Sequence, residues 1–469
     1  MRLDEDMKQK RKEDRGSVTP RKSKTKKMEV RNMKKFLAML LTAIMCLSLV
    51  PAMAEEDVTL VYWDMIWSDD PNYEPTLRKL CDQFTAETGI KVELQMIAWD
   101  NHYQTFLTAI NAGVGPDIAT GGAYNAIYYS AMDLTLDLDS ILDEWKAEGN
   151  PIADDFLPGA LSDHYFNGHL KGISTNLDIR NFYANKEILA KAGYTVEQAQ
   201  AVGTWDEFLD MLRAIKAADP DVIPFMFPAG DYTAAHTLWQ FSNANGVGVV
   251  NEEGQSNMTD PRWAETLQFF KTCYDEGLVS EAAASYVGDD IIRLYQAGEL
   301  AVAWSGTPTF LNYQNPEMQE KTIFLRPIVG PSGDAATLLS WYNPIYAYNT
   351  TKHPEEAKKF IKWWMENNLP LYTESNWAKL SPQASQNVAA AEAWKNDWCL
   401  SNIIALDLPA TARSSVWPAA SIYPAIFDVE GNNLIGEALQ GVLLGEDDIE
   451  GLLAEADELV KEAIAAYEE

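Results

Sequence analysis

Cysteine is scarce: the 469 residues hold four, and one of them, Cys46, sits in an N-terminal apolar run. Cys81, Cys273 and Cys399 are odd in number and far apart. That excludes a disulfide framework and any C-x-x-C metal motif. Basic residues are also few. Of 37 Lys and Arg and 69 Asp and Glu, residues 1–54 carry 14 and 6, leaving 23 basic against 63 acidic positions. So negative a surface repels phosphate backbones and anionic headgroups, which excludes nucleic acid and membrane-surface partners. After residue 54 no apolar run is long enough to span a bilayer. Neither "DLDSILDE" nor "DVEGNNLIGE" has EF-hand spacing, so no metal and no cofactor is expected.

The chain does carry a leader. "MKKFLAMLLTAIMCLSLVPAMA", residues 33–54, has two lysines, an apolar stretch and Ala52-Met53-Ala54, the layout of a cleavable secretory signal. The residues around Cys46 do not match a lipoprotein acylation site. A free chain starting near Glu55 is therefore expected, exported to a periplasm or to the cell exterior. Residues 1–32 are charged, lack an apolar period, and read as an over-extended start. The remaining residues, nearly half apolar, are enough for more than one domain.

Strand and helix patterns then alternate. "VTLVYW" is followed by Leu77, Leu80, Cys81 and Phe84 at helical spacing, with Gly89 as the stop. "IKVELQM" alternates as a strand. Asp100 caps a helix carrying Tyr103, Phe106, Leu107 and Ile110, and "GPDIAT" starts a third strand. This order predicts a parallel α/β sheet with right-handed crossovers. Further on, "TWDE" at 204–207 is a capping box, and "DPRWAETLQFFKTCYDEG" is a helix with an aspartate cap and a glycine stop. "GELAVAW" returns to strand. Trp263, Phe270, Trp363 and Trp364 fall on helical stripes and read as core. The expected class is α/β in two lobes.

In open α/β sheets, ligands bind beyond the carboxyl ends of the strands. "YWDMIWSDD", residues 62–70, puts Trp63, Asp64 and Trp67 there. Aromatic faces stack on the apolar faces of pyranose rings, and carboxylates and amides bond to hydroxyls. Fifteen tryptophans in the chain fit that chemistry. His236 and Trp239, three apart, share a helix face, and His236 is a further candidate.

Six stretches in order, "WDNHYQTFLTAINAGVGPDI", "LKGISTNLDIRNFYANKEILAKAG", "TWDEFLDMLRAIK", "WAETLQFFKTCYDEGLV", "YQAGELAVAWSG" and "HPEEAKKFIKWWM", resemble extracellular solute-binding protein family 1. These are the sugar-capturing components of bacterial ABC importers. The similarity runs from about residue 58 to 385. It implies a two-lobed α/β fold of the periplasmic-binding-protein type II, with hinge crossings near Asn176–Arg180, Thr337–Ser340 and Leu380–Ala384. The lobes would be 55–177 plus 340–382 and 178–339 plus 383–469. By the resemblance, Asp178 matches a hinge acid that contacts sugar, with Asn176 and Arg180 beside it. Trp63 falls in a first binding loop, and Tyr124 and Asn125 in a second. Trp341 and Tyr342 stand where relatives carry an aromatic. Two departures are noted: Leu339-Ser340 replaces a Gly-Gly pair, and Gly306-Thr307-Pro308 lacks the tryptophan of a Gly-Pro-Trp.

The resemblance implies a monomeric, non-enzymatic binding protein. It would take a neutral mono- or oligosaccharide and deliver it to an ABC permease driven by a cytoplasmic ATPase. Two alternatives stand beside it. One is a secreted glycosidase with Asp64 and Asp178 as acid and nucleophile. The other is a soluble sensor that presents bound ligand to a receptor kinase.

Overall fold

The computed structural model describes residues 58–467, apart from 69, 101, 313, 314, 376, 420 and 421. The signal-peptide and start-site readings fall outside those residues. Strands β1 (Thr59–Met65), β2 (Lys91–Ile97) and β3 (Ile118–Thr120) come first. A small hairpin, β4 (Tyr165–Phe166) and β5 (His169–Leu170), precedes β6 (Ile173–Ile179) and β7 (Asn181–Asn185). Then follow β8 (Ile223–Met226), β9 (Leu300–Ser305), β10 (Thr322–Leu325), β11 (Leu338–Ala347) and β12 (Ala412–Ser414).

They form two main sheets. In the larger, the order is β12-β11-β3-β1-β2, with β6 on the other edge of β11. β1, β2 and β3 run parallel, as the alternating pattern predicts, while β11 is antiparallel to β3 and β6. The smaller sheet runs β10-β7-β9-β8. The predicted caps are in place. Gly89 closes helix Tyr73–Thr88 with a left-handed φ of 78°. Thr204 and Glu207 exchange capping-box bonds ahead of helix Trp205–Ala218, and Asp260 caps helix Pro261–Asp275.

Aromatic side chains pack on both sheets, within one continuous set of buried residues. Tyr62 of β1 packs on Phe360 and Trp364 of helix Pro354–Asn367, and Trp63 faces the other way onto Phe106 of helix His102–Asn111. In the smaller sheet Phe182 and Phe225 pack against Phe208 and Phe241. Trp263, Phe270 and Trp364 are buried. Trp363 differs from expectation. It lies half-buried at the rim, its indole N–H donating to Glu87.

The chain passes between the sheets over very short distances. Arg180 alone separates β6 from β7, and its N–H donates to the Leu339 carbonyl at 2.9 Å. The Leu177 N–H donates to the Leu380 carbonyl at 2.9 Å. Three distant stretches of chain therefore run side by side where the two sheets meet.

Candidate binding site

The cross-strand register brings Asp178 of β6 opposite Trp341 of β11. Trp341 is 7% exposed. Its indole N–H donates to the Tyr124 hydroxyl at 2.9 Å, and Tyr124 is also hydrogen-bonded to Ser415. The Arg180 guanidinium lies over the Trp341 ring, 5.2 Å from its centroid, and the His236 ring is 4.7 Å away. Five of the residues singled out in the sequence (Tyr124, Asp178, Arg180, His236 and Trp341) thus converge on one place.

The polar partners set the protonation of this cluster. Arg180 Nη2 lies 3.3 Å from His236 Nδ1. A guanidinium only donates, so Nδ1 accepts and Nε2 carries the proton. That N–H donates to Glu430 at 2.5 Å, and the other Glu430 oxygen receives the Tyr103 hydroxyl. Burial holds the His236 pKa below the ordinary histidine value, against the opposing pull of Glu430. The ring is therefore neutral and relays hydrogen bonds from Arg180 to Glu430. Asp178 pairs with Lys379, both nearly buried. Burial works to raise the Asp178 pKa, but Lys379 and Arg180 outweigh it and hold the carboxyl below its usual value.

Several expected residues do not join this cluster. Asp64 is 1% exposed and on the strand face opposite Trp63, because side chains alternate along β1. There it accepts from the Tyr62, Tyr73 and Thr120 hydroxyls at 2.6, 2.8 and 2.8 Å. Burial raises its pKa to about 6, with those three bonds opposing. Asp64 ties β1 to its covering helix and to β3 and does not face the cleft. Asn176 is engaged too: its oxygen accepts from Asn343 and its nitrogen donates to Thr175. Tyr342 points away from Trp341, onto Gly159, where a Cβ would come within 3.1 Å of the ring. Asn125 is buried close against Gly121. Trp63 and Trp67 stand at the end of β1. Trp67 donates weakly to Thr120 and packs edge-on against Trp99, while the buried Trp63 indole N–H has no partner.

Sequence reasoning misses Lys379, Glu430, Tyr103 and Ser415. Lys379 is one residue before the stretch expected as the third crossing. Glu430 lies within "DVEGNNLIGE", whose oxygen donors resemble only a calcium loop. Helix Ala425–Gly431 packs across to helix Asn125–Ala131, with Phe427 stacked on Tyr128. Asp137, Asp139 and His169 bring donor atoms within 4.8 Å of one another on the surface, and Lys171 lies 2.5 Å from Asp137 and supplies the countercharge. Among the described residues, no helix is long and apolar enough to cross a membrane.

A sequence model of the family described as bacterial extracellular solute-binding protein matches residues 70–367. A Brucella abortus protein named only as a binding protein is 23% identical over 440 residues, covering 91% of this chain and 99% of that one. An arabinooligosaccharide-binding protein of Halalkalibacterium halodurans is 24% identical over 225 residues, covering 48% of this chain and 47% of its own length. Among solved structures, a sugar transporter from Arthrobacter chlorophenolicus with bound laminaribiose aligns with a TM-score of 0.75 at 23% identity. It covers 86% of this chain and 99% of that one. The fold is the two-lobed one shared by such structures.

Proposed function

The chain belongs to the bacterial extracellular solute-binding proteins, and on that footing we propose that it captures a carbohydrate between two closing lobes and hands it to an ABC importer. The lobes would be residues 55–177 with 340–382 and residues 178–339 with 383–469, hinged where the three crossings run side by side. The observation that carries the reading is the cluster at those crossings. It holds an aromatic face, Trp341, beside the donors of Arg180 and the buried Asp178–Lys379 pair. This is the mixture a neutral sugar ring needs: one apolar face and many hydroxyls. The relatives that bind arabinooligosaccharide and laminaribiose support the same ligand class.

Capture without turnover is favoured over glycoside hydrolysis. The two carboxylates that would have to act together have other partners, Asp64 under three hydroxyls and Asp178 on Lys379. Tyr103 and Glu430, from opposite sides of the cleft, would close over the ligand, so ligand favours the closed form and the closed form presents the surface a permease reads. Export to a periplasm or the cell exterior completes the reading.

The test is a thermal-shift and calorimetry screen of residues 55–469 against neutral mono- and oligosaccharides. A ligand at 100 times its Kd adds about 2.7 kcal/mol of stability and raises the melting temperature visibly. The saccharide should be recovered unchanged. A screen in which no saccharide shifts the protein overturns the carbohydrate assignment, and a hydrolysed ligand overturns the binding-protein one.

A further inference from the structure

At Arg180 strand β6 gives way to β7, and β11 loses its partner on that edge. The last rungs are Ser340 opposite Ile179 and the Arg180 N–H on the Leu339 carbonyl. β12 pairs with Leu338–Ser340 on the other edge. The Thr337 carbonyl and the Leu339 N–H, both on buried residues, must then be satisfied by something other than a strand.

Gln240 does this. It is buried on helix Thr233–Ala244, whose own backbone groups are engaged within the helix. Its Nε2 donates to the Thr337 carbonyl at 2.7 Å, and its Oε1 accepts the Leu339 N–H at 2.9 Å. A residue in a parallel strand bonds to its neighbour in the same way, reaching the carbonyl before one residue and the N–H after it. The amide therefore extends the ladder by one rung where no strand remains. His236, four residues earlier on the same helix face, lies against Trp341. Gln240 thus fastens Leu339, and Leu339 joins the two main groups of the binding cluster. Arg180 is bonded to it, and Trp341 follows two residues on.

We propose that Gln240 is a positioning residue for ligand capture, whose amide fixes the entry of β11 and so holds Trp341 and the Arg180 guanidinium in the geometry that meets ligand. It acts through Leu339 and not by contact with ligand. The inference rests on the reading of the crossing cluster as the binding site.

The experiment compares Gln240→Met and Gln240→Glu with the wild type, each as residues 55–469. Calorimetry uses whichever of glucose, maltose, cellobiose, laminaribiose, arabinobiose and diacetylchitobiose the wild type binds. Amide hydrogen exchange over 337–341 is followed without ligand. Methionine fills the volume and makes neither bond, so Gln240→Met should bind about fivefold or more weaker and exchange about tenfold or more faster over 337–341. A carboxylate at 240 still accepts from Leu339 but repels the Thr337 carbonyl, whereas a protonated carboxyl donates to that carbonyl and restores both bonds. Gln240→Glu should therefore match the wild type within about twofold at pH 5 and fall about fivefold below it at pH 9, burial holding the introduced carboxyl above its ordinary pKa. Taking each variant against the wild type at the same pH cancels the native titrations, those of His236, Glu430 and the Asp178–Lys379 pair among them. A purely volumetric role gives no such pH dependence. Full affinity in Gln240→Met overturns the proposal, as does weaker binding with unchanged exchange, or a Gln240→Glu to wild-type ratio that does not change between pH 5 and pH 9. If Gln240→Met does not fold, Gln240→Glu, nearly isosteric with the wild type, carries the test. If no saccharide binds the wild type, the carbohydrate reading falls and the exchange measurement alone decides the role of Gln240: faster exchange upholds its hold on β11, and unchanged exchange overturns it.

Discussion

The Tyr103 hydroxyl donates to the Glu430 carboxylate although the two residues are 327 positions apart. Tyr103 belongs to a helix of the larger-sheet half, and Glu430 to a helix that also packs against the His236 helix. The same helix packs on helix Asn125–Ala131 as well, so the bond lies where segments of both sheets' helices meet. Tyr103→Phe removes it while keeping the ring against Phe427, whose centroid is 4.5 Å away. The expected result is ligand binding weaker by about tenfold, mostly through faster release, because the closed form alone loses a charge-assisted bond. Stopped-flow dissociation with any ligand found in the screen checks it. An unchanged off-rate removes Tyr103 from the closing contact.

The Asp178–Lys379 pair is an ion pair with both side chains nearly out of water, at 13% and 8% exposure. Asp178→Asn strands the ammonium and should destabilise the fold by about 3–5 kcal/mol. Adding Lys379→Met to it should recover most of that loss, because the stranded charge is gone. Urea denaturation of the two single variants and the double variant gives the coupling directly. Additive losses mean that the two side chains do not act as a pair.

Gly306 faces the Arg180 guanidinium so closely that a Cβ there would lie 2.7 Å from Nη1. Gly306→Ala should leave stability within about 0.5 kcal/mol, since only the tip of a flexible side chain has to move. It should weaken ligand binding several-fold by shifting the guanidinium off Trp341. Calorimetry beside a melting curve separates the two effects. Full affinity in this variant means that the position of Arg180 does not matter to the ligand.

Asp64 titrates at about 6 in the folded protein, raised by burial from an ordinary 3.8. Between those values the folded state holds a proton that the unfolded chain has released. Stability therefore falls as pH rises through that window, by about 2–3 kcal/mol in all, and the Asp64 contribution is level above it. Asp64→Asn should flatten that part of the stability-versus-pH curve. Denaturation midpoints at pH 4, 5, 6 and 7 provide the check, and an identical slope in both proteins refutes the assignment.

Much of the architecture is legible in the chain because it is written in short-range patterns. The β1–helix–β2–helix–β3 order, the Thr204 capping box, the Asp260 cap and the Gly89 stop all follow from residues within a few positions of one another. The aromatic residues at the end of β1 are legible as well, although no ligand role for them follows from the structure. Even the separation of Asp64 from Trp63 is implicit there, since a strand's period of two puts adjacent residues on opposite faces. Glu430 and Lys379 are not legible in this way. Their partners are 194 and 201 positions away, and neither sits in a local pattern that marks it.

The sequence by itself determined the element order, the caps, the acidic surface and a family resemblance strong enough to place Asp178, Arg180, Trp341 and Tyr124 near one another. Only the tertiary structure decided which of the candidates are free to meet a ligand. It engages Asp64, Asn176 and Asp178 with buried partners, turns Tyr342 away, and brings Glu430 to the seam. The reason is physical: a side chain's periodicity is a property of its neighbours in the chain, whereas its hydrogen-bond partners are fixed by where distant segments cross.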